Sequence, residues 1–165
     1  MGVAAASRRA VNLLLSGPAA GLAAARHLGA AIGQPDLLTF DMGGTSTDVA
    51  LIGDRPTLTD AGSIGPYPVA VPMADIHTIG AGGGSIAYLD AAGALHVGPR
   101  SAGAKPGPAC YGLGGVEATV TDANLVLGRI PSMQRLAATL ELHADLAQRA
   151  IERIALPLGT SPQEA

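Results

Sequence analysis

Two short apolar runs, Leu37-Leu38-Thr39-Phe40 and Val49-Ala50-Leu51-Ile52, bracket the octapeptide Asp41-Met42-Gly43-Gly44-Thr45-Ser46-Thr47-Asp48. Each run has the length and composition of a buried strand, so the octapeptide reads as the bend of a strand–turn–strand unit. Paired glycines let a backbone approach a ligand closely and adopt positive φ. The freed N–H groups and the hydroxyls of Thr45, Ser46 and Thr47 can then face one anion. The acidic residue at each end cannot bind a phosphate directly, but it can hold a hydrated Mg²⁺ that neutralises one. An ordinary hairpin turn needs one glycine and no run of three hydroxyls. The bend therefore reads as a nucleotide-phosphate hairpin rather than a simple turn.

The pattern resembles a phosphate loop of the actin/sugar-kinase/Hsp70 ATPase superfamily. It is not a Walker A loop. No G-x-x-x-x-G-K-[ST] occurs, and the only lysine, Lys105, lies far from the bend.

A length of 165 residues suits one domain, read here as residues 1–165 with 1–12 poorly ordered. The net charge of −3 offers no basic face for nucleic acid. Apolar residues make up 48% but aromatics only 2%, so the core must be built from Ala, Val, Leu and Ile. The 23 glycines and 12 prolines imply many turns. One cysteine, Cys110, excludes an internal disulfide and a multi-Cys zinc site. It fits a reducing compartment, and a cytoplasmic location is expected. No apolar run reaches the roughly 18 residues of a membrane span. Ser7-Arg8-Arg9 ahead of Leu13-Leu14-Leu15 loosely imitates a twin-arginine export signal, but Ser16-Gly17-Pro18 interrupts the apolar region.

Residues 18–31 read as a helix, with Pro18 at its first position and Ser16 or Gly17 as cap. Gly29 and Gly33 offer exits, and Arg26 and His27 suit the negative pole of the dipole. An anion site at this N-terminus is an alternative to simple capping. Residues 53–75 suggest short strands and loops, and Ile76-His77-Thr78-Ile79 a further strand. Ile86, Tyr88, Leu95 and Val97 alternate about Asp90-Ala91-Ala92-Gly93, which reads as a hairpin. Residues 98–115, rich in Gly and Pro, form a long loop, ordered or flexible. Asp122 can cap a short helix over 123–128, closed by Gly128. Leu140, Ala144, Ala147, Ile151 and Ile154 predict an amphipathic helix over 139–155, ended by Pro157 and Gly159. No internal repeat and no linker stand out.

Other constellations are weaker. The run Gly80-Ala81-Gly82-Gly83-Gly84-Ser85 could bring N–H groups to a phosphate or let a neighbouring segment pass close. Asp75 and His77 share a strand face and could share a metal, although two ligands do not make a site. His27, His96 and His143 lack an acidic or Cys partner at ligand spacing. Cys110 reads as buried and inert rather than nucleophilic. Lys105 could reach a phosphate from its Gly/Pro loop, but exposure is the simpler expectation. No Ser/His/Asp arrangement follows from residue order.

Several stretches in order carry a resemblance to one family: Leu15 to Gly21, Phe40 to Val49, Ile79 to Ile86, Gly98-Pro99, Ser101-Ala102-Gly103, Pro106 to Gly112 and Thr119 to Arg129. Together they resemble the hydantoinase A/5-oxoprolinase family, which includes N-methylhydantoinases and acetone and acetophenone carboxylase subunits. The resemblance implies an α/β fold, part of an actin-like ATPase with a mixed sheet, flanking helices and a long Gly/Pro-rich loop. It implies ATP and Mg²⁺ as cofactors. Asp41 would bind Mg²⁺ through water, and Gly43, Gly44, Thr45, Ser46 and Thr47 would hold the β/γ-phosphates. Gly82, Gly83 and Gly84 are counted with the same site. The implied chemistry is phosphorylation of a cyclic amide, imide or ketone oxygen, followed by ring opening or carboxylation. Phosphoryl transfer of this kind rests on positioning and charge neutralisation.

Departures from the family pattern shape the expectation. Only one phosphate loop is present where the family has an earlier one as well. Pro131-Ser132-Met133-Gln134-Arg135 lacks the glycines of a later adenine-contacting segment. The chain thus reads as an internal fragment of a hydantoinase/oxoprolinase-type hydrolase, inactive alone. Its expected partners are an N-terminal half and a hydantoinase B-type subunit, with a small cyclic amide or ketone as substrate. The alternatives are a non-catalytic assembly module or a subunit of an ATP-dependent ketone carboxylase.

Overall fold

A computed structural model describes residues 2–13, 16–53, 58–59, 62–64, 66–70, 73–131 and 140–165. The chain is mixed α/β and divides into two compact units. Met1–Asp41 with Asp48–Ile79 form one, and Met42–Thr47 with Gly80–Ala165 the other. The division runs through a hairpin rather than a linker, so composition carries no mark of it.

In the first unit, α1 (Val3–Arg8) buries no residue, and a 3-10 turn follows at Ala10–Leu13. Helix α2 (Ser16–Ala31) starts two residues before Pro18. Ser16 and Gly17 are therefore inside the helix, and the capping position falls on residue 15, outside the described residues. The helix also runs past Arg26 and His27, so neither lies in the last turn as expected. Gly33 ends α2 at φ 71°, and Gln34 N–H donates to Gly29 O at 2.8 Å. Gly29 is buried because that return leaves no room: a Cβ there would meet Gln34 O at 2.5 Å.

Strands β1 (Leu37–Met42) and β2 (Thr47–Ile52) form the expected hairpin. Residues 53–75 are short pieces, as their Pro and Gly content suggests: β3 (Leu58–Thr59), β4 (Gly62–Ile64), β5 (Tyr67–Val69) and β6 (Met73–Ala74). With β7 (His77–Ile79), the principal sheet has the order β1-β2-β7. Ala50 and Ile52 on central β2 are buried, while Leu38 and Phe40 on β1 are exposed. Thr39 Oγ1 donates to Ala50 O at 3.1 Å, and Thr78 Oγ1 donates to Asp48 Oδ1 at 2.7 Å. Asp48 is thereby tied to its own sheet.

The second unit opens with β8 (Ser85–Leu89) and β9 (Leu95–Ser101), paired antiparallel with Leu89 opposite Leu95 and Ser85 opposite Ser101. Asp90 builds the turn, its Oδ1 accepting the Ala92 and Ala94 N–H groups at 2.9 Å each. Residues 98–101 belong to β9, and the rest of the Gly/Pro loop is tied back by Ala102 N–H to Gly84 O at 2.8 Å and Gly107 N–H to Ala102 O at 3.2 Å, with a 3-10 turn at Ala109–Tyr111. Helix α3 (Val120–Val126) begins earlier than sequence suggested. Its cap is Thr119, with Asp122 as the reciprocal third residue of a capping box.

Helix α4 (Ala144–Leu158) starts five residues late relative to 139 and contains Pro157 in its final turn. Residue 139 itself lies outside the described residues; at His143 the N–H donates to Cys110 O at 2.8 Å, so it is not free to join an earlier helical turn. Small side chains form the core, as the aromatic-poor composition requires. Ala109, Ala118, Ala150 and Ile151 make one cluster, and Cys110, Leu125, Leu142 and Ala147 another. Alanines on α4 allow the close helix contact.

Candidate functional site

The bend at residues 43–46 is exposed apart from half-buried Ser46, and Gly43 N–H closes it by donating to Ser46 O at 2.8 Å. Two of its other carbonyls face the second glycine run. Gly83 N–H donates to Gly43 O at 2.9 Å, and Gly84 N–H donates to Gly44 O at 2.7 Å. A trans peptide points its C=O and N–H in opposite directions. Since these two carbonyls face the glycine run, the N–H groups of Gly44 and Thr45 point together to the other side. The amides of Gly44, Thr45 and Ser46 donate to no backbone or side-chain group among the described residues. Successive amides on one side make a concavity suited to an anion.

Thr45 and Ser46 hydroxyls likewise have no partner among the described residues, whereas Thr47 is buried and its hydroxyl donates to Ala81 O. The third hydroxyl therefore anchors the bend, while the first two are not committed to another described residue. Neither Gly43 nor Gly44 has positive φ, contrary to expectation. A Cβ at Gly44 would meet nothing within 4 Å. Among the described residues, neither a left-handed φ nor crowding calls for glycine there.

The second run supports the bend from behind. Gly82 N–H donates to Ser85 Oγ at 2.8 Å, so all three amides of Gly82, Gly83 and Gly84 are engaged within the chain. Each glycine answers a specific close contact. A Cβ would come within 2.7 Å of Gly43 O and Thr45 N at Gly82, 2.8 Å of Thr121 Oγ1 at Gly83, and 2.8 Å of Gly44 O at Gly84. Close passage of a neighbouring segment, one of the two readings of this run, is the geometry present.

Behind the run stands α3. Thr121 N–H and Oγ1 both donate to Gly83 O, each at 2.8 Å. The amide is one of the donors that a helix N-terminus leaves without an intrahelical partner. Asp122 is fully buried and accepts four hydrogen bonds: from Thr119 N–H (3.0 Å) and Oγ1 (2.7 Å), Ala109 N–H (3.2 Å) and Cys110 N–H (2.8 Å). It thereby ties the 3-10 turn to the helix. Burial, then the Asp122 charge, push the Cys110 thiol well above its usual range, which makes it an inert core group. Burial, first of all, likewise raises the Tyr111 phenol, and the neighbouring Cys110 and Asp122 add to it.

Thr121 was not among the residues singled out from sequence. The signal was Thr119-Val120-Thr121-Asp122, a T-x-x-D capping pattern, whose third residue faces whatever lies above the helix start.

Other candidates separate from this cluster. Asp41 lies at the exposed end of β1. Asp75 and His77 are exposed, and among the described residues no three His, Cys, Asp or Glu side chains form a metal-binding group. Lys105, His27 and His143 are exposed. His96 does have an acidic partner, contrary to the spacing argument: the hairpin brings its Nε2 to 2.8 Å from Asp90 Oδ2, with Tyr88 stacked on the ring. Hydrogen bonds from Ala94 N–H and then His96 hold the Asp90 carboxyl below its usual range. No helix among the described residues is long and apolar enough to cross a membrane.

Comparison with known proteins assigns the chain. The family model described as hydantoinase/oxoprolinase matches residues 1–165. The caprolactamase subunit alpha of Pseudomonas jessenii is 48% identical over 159 residues, covering 95% of this chain and 23% of that protein. The acetophenone carboxylase gamma subunit of Aromatoleum aromaticum is 44% identical over 153 residues, covering 90% of this chain and 21% of that protein. The crystal structure of ATP-dependent caprolactamase from Pseudomonas jessenii matches with a TM-score of 0.76 at 46% identity, over 86% of this chain and 21% of that one. The chain thus spans less than a quarter of the length of these relatives. It belongs to the hydantoinase/oxoprolinase family.

Proposed function

We propose that this chain carries the β/γ-phosphate hairpin of an ATP-dependent hydantoinase/5-oxoprolinase-type hydrolase, within part of an actin-like ATPase fold. One observation carries the reading. The Gly44, Thr45 and Ser46 amides have no acceptor among the described residues, and a Cβ at Gly44 would meet none of them within 4 Å. An approaching phosphate supplies both the acceptor and the need for space. Family membership and the likeness to an ATP-dependent caprolactamase support it.

The residues divide the work. Gly44, Thr45 and Ser46 N–H groups, with the Thr45 and Ser46 hydroxyls, donate to phosphate oxygens. Gly43 presents its carbonyl to Gly83, while Thr47, Gly82, Gly83 and Gly84 keep the bend from relaxing. Asp41 holds Mg²⁺ through water, which suits an ion that keeps several waters and takes one or two carboxylates. Mg·ATP, when bound, supplies a phosphoryl group that makes a cyclic amide or imide carbonyl open to attack. Fixed donors around the developing charge need no reorganisation during transfer. The likeness to acetophenone carboxylase favours a second reading, in which a ketone oxygen is phosphorylated for carboxylation. A companion N-terminal half and a hydantoinase B-type subunit complete the enzyme in either case, in the cytoplasm where ATP is available.

Replacing the matching segment of the caprolactamase alpha subunit with this chain allows a direct test by isothermal titration with Mg·ATP. Gly44→Ala should leave the melting temperature unchanged, because its Cβ enters open space, yet weaken Mg·ATP binding at least tenfold. Unchanged affinity overturns the phosphate assignment.

A further inference from the structure

We infer that Thr121 is a positioning residue for the bend, acting through a single peptide group. The peptide between Gly83 and Gly84 has its carbonyl held by Thr121 N–H and Oγ1, each at 2.8 Å. Its N–H holds Gly44 O at 2.7 Å. The Gly44 carbonyl belongs in turn to the peptide whose N–H is that of Thr45. Thr121 therefore heads a continuous run of hydrogen-bonded amides that ends at an outward donor of the bend.

Such a run does two things. It fixes direction, because each peptide is planar and trans, so holding one end sets the orientation of the other. It also strengthens the terminal donor, because an amide whose carbonyl accepts a hydrogen bond is polarised, by roughly 10–30% per bond. The head of the run is itself rigid. Thr119 and Asp122 close the capping box around it in the same first turn, and Asp122 binds the 3-10 turn as well. Gly83 carries no side chain because a Cβ would meet Thr121 Oγ1 at 2.8 Å, so the contact is built to be short.

The inference rests on the phosphate reading for its purpose, but the coupling between Thr121 and the bend is testable without nucleotide. In the full chain, amide spectra and hydrogen exchange are compared for wild type, Thr121→Val and Thr121→Ser. Valine keeps the shape and removes the hydroxyl; serine keeps the hydroxyl. Thr121→Val should shift the Gly84 and Thr45 amide resonances and speed Gly84 exchange by roughly three- to tenfold, the scale of one lost neutral hydrogen bond. Leu125 and Val126 amides in α3 should stay protected. Thr121→Ser should restore the wild-type pattern at the bend. An unmoved bend in Thr121→Val overturns the inference, and so does a Thr121→Ser bend displaced as far as that of Thr121→Val. In the caprolactamase replacement, Thr121→Val should weaken Mg·ATP binding three- to tenfold with rescue by serine. If Gly44→Ala weakens binding and Thr121→Val does not, the positioning role fails alone. If Thr121→Val moves the bend and Gly44→Ala leaves binding unchanged, the phosphate reading fails and the coupling stands.

Discussion

A Cβ placed on Gly82 lands 2.7 Å from Gly43 O and Thr45 N, whereas one placed on Gly44 lands in open space. The two glycines therefore predict opposite outcomes. Gly82→Ala must displace backbone, at a cost of about 1–3 kcal/mol measurable by urea denaturation. Gly44→Ala should cost nothing in the same assay. Asp122 gives a larger effect. Truncation to alanine leaves two loop amides, the Thr119 amide and the Thr119 hydroxyl without their acceptor, so Asp122→Ala should destabilise by about 2–4 kcal/mol. Cys110 makes stability depend on pH. Its thiol is raised in the fold by burial, so its contribution is complete below the unfolded thiol range, roughly 8.5, and is lost as pH rises above it. Denaturation midpoints should fall from about pH 9 upward in the wild type and less steeply in Cys110→Ala.

At the scale of elements, the β8–β9 hairpin turns on one carboxylate. Asp90 accepts Ala92 and Ala94 N–H groups and pairs with His96, and the first of these causes, Ala94, lowers its titration most. A depressed carboxyl stabilises above its unfolded value, near 3.9, and the contribution disappears as pH falls through the folded value. Ala92 and Ala94 amides should lose protection from exchange below about pH 4, and Asp90→Asn should remove that dependence. The elements themselves show where patterning was enough. Short apolar runs identified β1 and β2, alternation identified β8 and β9, capping and exit residues identified α2, and 3.6-residue periodicity identified the body of α4. The start of α4 escaped because His143 N–H is taken by Cys110 O, a contact thirty-three residues away in sequence.

For the molecule as a whole, apolar exposure is the main consequence. Leu38 and Phe40 are each 63% exposed, and Leu51 is 71% exposed, on strands whose neighbours Ala50 and Ile52 are buried. Exposed apolar groups clustered on one sheet favour association. The isolated chain should bind a hydrophobic dye and show mass rising with concentration in light scattering, and Phe40→Lys should reduce both. This follows equally if the chain acts as an assembly module, so it bears on behaviour in solution and not on chemistry.

The sequence alone determined that a glycine-hydroxyl bend joins two strands within residues 41–48, although the strands run further into that stretch than the apolar runs suggest and leave only 43–46 as the bend; that the core is built from small aliphatic groups; and that the ordered motifs belong to one family. Those properties are local or compositional: turn chemistry, side-chain volume and alternation act over a few residues. The tertiary structure decided which donors the bend leaves open. Thr47 looks like Thr45 and Ser46 in sequence, but its hydroxyl turns inward to Ala81 O. Gly82, Gly83 and Gly84 look like a second phosphate loop, but their amides serve Ser85 and the bend itself. Whether a donor is available depends on what lies opposite it, and for Thr47, Gly83 and Gly84 the groups opposite lie more than thirty residues away in the chain.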